Sequence, residues 1–241
     1  MIRVCELGTA VLLSMLLSAC SASYDQPRID PAVVAPNEVL EFGALYAQNC
    51  GGCHGAQGRG GAAIALADPV YLAIVDEPSV RKVIASGVHG TSMPAFAQSA
   101  GGMLTEKQVD AISGGIFSHW AQKGILDGNS PPSYAATNAG DAANGELVYR
   151  TYCASCHGPG GQGGPKGSAI TNDSFLALVS DQGLRTIVIT GRPELGAPDW
   201  RGNIPGRPMT DQEITNVVAW LAAHRSGTPG QPYSAANNLL H

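Results

Sequence analysis

Cys50-Gly-Gly-Cys-His54 and Cys153-Ala-Ser-Cys-His157 repeat one five-residue pattern, C-x-x-C-H. Two thiols three positions apart on a turn can each add to one vinyl group of a single porphyrin, leaving two thioether bonds. The adjoining imidazole then stands under the iron and supplies its proximal nitrogen. The pattern predicts two covalently bound haem c groups, held by Cys50, Cys53, Cys153 and Cys156, with His54 and His157 as metal ligands. Zinc and disulfides are the competing uses of such cysteines. A structural zinc asks for four ligands, usually from two C-x-x-C knuckles close enough to share the ion. Here each pair carries its own histidine in its own repeat. Two isolated disulfides would leave both histidines without a role. The other two of the six cysteines, Cys5 and Cys20, fall in the N-terminal segment, so the rest of the chain holds no spare thiol.

The elements that must position these residues recur in the same order. A helix runs into each motif, Glu38 to Asn49 and Ala142 to Tyr152, and each has a tyrosine four residues before its first cysteine, Tyr46 and Tyr149. A glycine-rich loop follows each histidine, Gly55 to Gly61 and Gly158 to Gly164, where glycine lets the backbone pass close to a porphyrin edge. Short helices are expected near Pro69–Val75 and Ser79–Ala85, and again near Asp173–Val179 and Gln182–Thr190. Asp68 is placed as an N-cap ahead of Pro69. A closing amphipathic helix starts at a capping box in each repeat, Thr105-Glu-Lys-Gln108 and Thr210-Asp-Gln-Glu213. Leu104 and Met209 precede those boxes, at the position that staples onto Val109 and Ile214.

Residues 1–19 read as an export signal, with Arg3 ahead of an apolar stretch too short to span a bilayer comfortably. The stretch ends Leu17-Ser18-Ala19-Cys20, which resembles the lipobox of bacterial lipoproteins and would make Cys20 a lipidated first residue. An ordinary signal peptide is the alternative, at the cost of a free thiol in an oxidising compartment. Acyl chains contribute about 0.8 kcal/mol per buried methylene, so several together anchor a chain stably. The net charge of −5 and the lack of a basic run argue against a nucleic-acid partner. With 31 glycines and 16 prolines much of the chain is loop, and small domains of this kind bury little apolar surface without a prosthetic group. The expected organisation is signal 1–19, tether 20–36, domain 37–126, linker 127–139, domain 140–226 and a loosely ordered tail 227–241.

Both repeats resemble class I cytochrome c domains, and the chain as a whole resembles a bacterial dihaem c-type cytochrome. The resemblance implies an all-α fold of two tandem domains, in each of which an N-terminal and a C-terminal helix cross while shorter helices wrap one haem. In that family the sixth iron ligand is usually a methionine from the loop before the last helix. Met93 fits this in the first repeat, within Gly87-Val-His-Gly-Thr-Ser-Met-Pro-Ala-Phe96, and a His/Met pair implies a comparatively high potential. Met103 abuts the capping box, and His89 and His119 read as surface residues. The second repeat departs from the pattern. Aligning Gly191 on Gly87 puts Ala197-Pro198-Asp-Trp200 on Met93-Pro94-Ala-Phe96, so the sulfur is missing. The second iron is then open or holds a small molecule, or takes Met209, or takes another residue such as Lys166 or His224.

The reading that follows is an exported electron carrier, lipid-anchored through Cys20 to the cell membrane or outer membrane. It would pass single electrons between redox proteins of a respiratory or photosynthetic chain, with a membrane electron-transfer complex as the expected partner. No catalytic residue is assigned. The alternatives are a peroxidase-like dihaem oxidoreductase or a gas-binding sensor that uses the second haem.

Overall fold

The computed structural model describes residues 34–126 and 128–227. The signal segment, Cys20 and nearly all of the C-terminal tail lie outside them. The chain divides into residues Met1–Glu38 and Val39–His241. The described part of the first unit carries one 3-10 turn, Pro36–Glu38. The second unit holds both haem motifs. It is all-α, and among the described residues its only β features are two isolated bridges, Ala97 with Leu104 and Arg192 with Ala197.

In the first repeat α1 (Phe42–Asn49) runs into the short α2 (Gly51–His54). The helix expected from Glu38 begins only at Phe42, because the Glu41 carboxylate turns back to accept from the amides of Gly43 and Ala44 and so fixes the N-terminus there. Next come α3 (Pro69–Ile74), capped by Asp68 onto the Tyr71 amide at 2.9 Å, α4 (Glu77–Ser86) and α5 (Glu106–Trp120). The second repeat follows the same order with α6 (Ala142–Tyr152), α7 (Ala154–His157), α8 (Asp173–Leu178), α9 (Asp181–Thr190) and α10 (Asp211–Ala223). Both capping boxes form reciprocally, Thr105 with Gln108 and Thr210 with Glu213. Each satisfies two amides that a helix start would otherwise leave without partners.

α6 and α10 form the most extensive helix pair. They approach closely because Gly145 lies at the crossing: a β-carbon there would stand 2.1 Å from the Asn216 carbonyl oxygen. Two apolar clusters result. The first gathers Leu45, Tyr46, Ile84, Val109, Ile112 and Ile116, and the second Tyr149, Tyr152, Ile189, Ile214, Val217 and Trp220. Full burial of one such aliphatic side chain contributes about 1.5–3 kcal/mol.

The clusters are not strictly segregated by repeat. Val70, on α3, is buried in the second cluster, and α3 packs against α9. Arg185 of α9, buried and ion-paired with Asp211, donates to the carbonyls of Ser133 and Tyr134 and to the Thr215 hydroxyl. The segment between the repeats is thereby tied to the second, while the Tyr134 ring lies 6.4 Å from that of Tyr71 in the first. A positive charge between Leu184 and the apolar run Ile187–Ile189 is the sequence signal for such a buried pair.

Candidate haem-binding sites

Cys50 ends α1 and also caps α2, so both cysteines and the histidine of the first motif share one turn. The amides of Cys53 and His54 both bond the Cys50 carbonyl, at 3.2 and 3.0 Å. Cys153 plays the same part between α6 and α7, with Cys156 and His157 bonded to its carbonyl at 3.1 and 3.0 Å. All four cysteines are free thiols. Burial, reinforced by the neighbouring Cys53, pushes Cys50 up to about 11, and burial together with Cys156 pushes Cys153 up to about 12. Among the described residues no three His, Cys, Asp or Glu side chains converge as a metal-binding group.

Each histidine is oriented by a carbonyl. His54 Nδ1 lies 2.8 Å from the Ile64 oxygen, and His157 Nδ1 lies 2.8 Å from the Ser168 oxygen. A carbonyl only accepts, so Nδ1 carries the proton and Nε2 keeps its lone pair for a metal. Burial depresses the basicity of His54, outweighing the opposite pull of the Ile64 carbonyl. The donor set, two thiols and one oriented imidazole per turn, fits a covalently attached haem c.

The loops behind the histidines are braced alike. Tyr46 donates its hydroxyl to the Gly55 carbonyl at 2.9 Å, and Tyr149 donates to the Gly158 carbonyl, each directly following the histidine. Tyr46 packs edge-on to Trp120, while Tyr149 stacks on Trp220. These tyrosines were visible as a repeated spacing, but their bracing role needed the folded loop.

Met93 is half-buried on the loop between α4 and α5. Its carbonyl accepts from the Val88 amide at 3.0 Å and its amide bonds the Thr91 hydroxyl at 3.2 Å. Gly87 starts this loop at φ +66°, and a β-carbon there would lie 2.7 Å from the Met93 oxygen. Met103 is 83% exposed. His89 is exposed and lines a cavity of about 300 Å³ shared with α8, Asp181 and Arg225. His119 stacks on Phe42, its Nδ1 held by the Gly115 carbonyl.

In the second repeat Gly191 repeats the start at φ +67°, and the Ala197 carbonyl accepts from the Arg192 amide at 2.9 Å. Ala197 therefore occupies the backbone position of Met93. Met209 is buried among apolar side chains of the second cluster. His224 holds its Nδ1 on the Trp220 carbonyl at the end of α10. Lys166 is exposed and adjoins Gly167, whose backbone packs on the His157 ring. The Arg192 side chain bridges the repeats, donating to the Gly61 carbonyl of the first glycine-rich loop at 3.0 Å. No sequence pattern pointed to that contact.

An all-α chain carrying the same thiol-and-imidazole turn twice, each backed by a braced glycine loop, is a c-type cytochrome, a class that holds haem c covalently. Residues 37–113 and 140–221 match the family described as cytochrome c oxidase, cbb3-type, subunit III, and the chain belongs to that family. A similar curated protein is the cbb3-type cytochrome c oxidase subunit CcoP of Azospirillum brasilense, 31% identical over 131 residues. That match spans 50% of this chain and 39% of the relative, so this chain corresponds to well under two thirds of that protein. Among solved structures, a chain of the reducing HAO-like protein complex of Kuenenia stuttgartiensis is 17% identical, covering 80% of this chain and 100% of its own, at a TM-score of 0.43. Thiosulfate dehydrogenase from Marichromatium purpuratum is 22% identical, covering 85% of this chain and 46% of its own, at 0.29. Among the described residues no helix is long and apolar enough to cross a membrane.

Proposed function

We propose that the protein is a dihaem electron carrier, anchored by lipid at Cys20 and exported to the outer side of the cell membrane or to the outer membrane. One haem is held by Cys50, Cys53 and His54, with Met93 completing the iron. The second is held by Cys153, Cys156 and His157. The two fall in domains 37–126 and 140–226. The observation that carries the reading is the pair of histidines, each in a thiol-bearing turn with Nδ1 fixed on a backbone carbonyl at 2.8 Å and Nε2 left for iron.

When bound, haem supplies one reversible electron at its iron. The chain's residues do the rest. The carbonyls of Ile64 and Ser168 orient the imidazoles, the tyrosines hold the following loop, and the apolar clusters bury Cys50 and pack against Cys153, which bears on the potentials. A thioether such as that of Met93 suits soft iron and favours the reduced state. The partners are redox proteins, and the oxidase named for the Azospirillum relative is one candidate complex. Such encounters typically use small, weak interfaces.

Intact mass and an alkaline pyridine haemochrome of the purified full chain test the reading together. Two haems are expected, falling to one when Cys50 and Cys53 are both replaced by alanine. A wild type with a single haem overturns it. For the anchor, Cys20→Ser should move the protein from the membrane to the soluble fraction, and unchanged partitioning removes that part of the proposal.

A further inference from the structure

We infer that none of the described residues ligates the second iron on its distal side, leaving that site for a small exogenous ligand such as a diatomic gas. The inference rests on the proposed haem at His157.

Four observations carry it. The first is chemical: from Arg192 to Pro208 the chain contains no histidine, lysine, cysteine or methionine. The second concerns the loop's carboxylates, which are engaged elsewhere. Glu194 pairs with Arg192 at 2.5 Å and Asp199 with Arg201 at 2.6 Å.

The third is the fixed backbone. Ala197 and Arg192 exchange both main-chain hydrogen bonds, at 2.9 and 3.1 Å, closing the loop into a tight bridge. The loop is also pinned from outside, by Arg192 on the Gly61 carbonyl, by Arg201 on the Ile125 carbonyl at 3.2 Å, and by a Trp200 ring that is 2% exposed. A loop so held cannot swing far enough to substitute another donor without breaking several of these contacts.

The fourth concerns Met209, whose sulfur made it the natural replacement. Its amide bonds the Trp200 carbonyl at 2.9 Å, just as the Leu104 amide bonds the Phe96 carbonyl at 2.8 Å. Leu104 is 6% exposed and Met209 3%, each in its own repeat's cluster with the first buried apolar residue of the closing helix, Val109 or Ile214. Met209 stands where the first repeat has leucine, as an apolar staple rather than a ligand. The two other candidate donors within the second repeat lie elsewhere. Lys166 adjoins the glycine that packs on His157, on the proximal side, and His224 is held at the end of α10 against Trp220.

The test uses carbon monoxide on the reduced full-length holoprotein, together with electron paramagnetic resonance of the oxidised form. One carbon monoxide per chain is expected, with one high-spin and one low-spin ferric centre. Ala197→Met should abolish carbon monoxide binding and convert the high-spin signal, whereas Met209→Leu should change neither. Met93→Ala serves as a calibration and should raise the stoichiometry to two. Two low-spin centres with no carbon monoxide bound in the wild type, or a carbon monoxide site created by Met209→Leu, would overturn the inference. A haem count below two is a separate result, read by mass, and counts against the dihaem assignment instead.

Discussion

The hydroxyl of Tyr46 reaches over the first motif to the carbonyl of Gly55, the residue that follows His54, at 2.9 Å. Burial pushes this phenol up to about 12, so it remains a donor across any ordinary pH. Tyr46→Phe keeps the ring against Trp120 and removes only the hydrogen bond. A net loss of about 1 kcal/mol is expected, which for a chain of this size is a fall of about 2–4 °C in Tm. Haem content should be unchanged. Thermal melts of the holoprotein check this, and a variant that melts with the wild type would mean the hydroxyl bonds water equally well.

Arg185 is the residue on which the inter-repeat segment depends, since its guanidinium serves Asp211, Ser133, Tyr134 and Thr215 together. Its side chain is 3% exposed against 30% for Asp211. Removing it leaves a partly buried carboxylate without its ion pair and the Ser133 carbonyl without its donor, while Tyr134 keeps the Gln182 amide, so Arg185→Ala should cost about 3 kcal/mol. Limited proteolysis should then cut near residues 131–136, where the wild type resists. Arg185→Lys keeps the charge but not the fork, so it should fall between the two. Wild-type protease resistance in the alanine variant would show that the segment is held by something else.

How far the sequence reached depends on how local the interaction is. The capping boxes at Thr105 and Thr210 were legible because all their partners lie within four residues. The first helix started later than its pattern because Glu41 acts as a cap, a role that its residue type advertises weakly. Val70 was readable as apolar, but apolarity says that a side chain is buried, not against which cluster, and its partners lie in the other repeat. Met209 shows the same limit at the site. Its sulfur suggested a ligand and its place before a capping box suggested a staple. Only the matching hydrogen bonds of Met209 and Leu104 set it in a leucine's position.

Asp68 gives the fold a pH dependence. Burial raises its carboxyl above the ordinary value, against the opposing pull of the Tyr71 and Val70 amides and of Arg59, with Asp199 adding to the rise. A carboxyl raised in the folded state binds its proton more tightly there than in the unfolded chain. Ionising it therefore costs stability as pH rises through the folded value, and the penalty is absent below the unfolded value near 3.8. Asparagine caps a helix about as well as aspartate. Asp68→Asn should thus be at least as stable as the wild type at pH 7, with the difference shrinking as the pH falls below 4. Denaturant titrations at several pH values check the sign, and a variant less stable at pH 7 would mean that the attraction of Arg59 outweighs burial.

Gly87 and Gly191 allow the same strain to be applied to the two loops proposed to lie over the irons. Each sits at positive φ, +66° and +67°, with backbone packed where a side chain would go. A β-carbon at 87 would lie 2.5 Å from the Pro94 carbonyl carbon, and one at 191 would lie 2.2 Å from the Pro198 oxygen. Alanine at either position should cost about 1–3 kcal/mol through the dihedral alone, with the contacts adding to it. The spectroscopic consequences should differ. Gly87→Ala moves the loop that carries Met93, so the first iron should gain high-spin character, bind carbon monoxide and fall in potential. Gly191→Ala moves a loop with no ligand to displace, so its Tm should drop by a similar amount while the spin states stay as in the wild type. Paired melts and ferric spectra of the two variants make the comparison. A spin-state change in Gly191→Ala would reveal a ligand carried by the 192–203 loop, whereas an unchanged first iron in Gly87→Ala would remove Met93 from the coordination sphere.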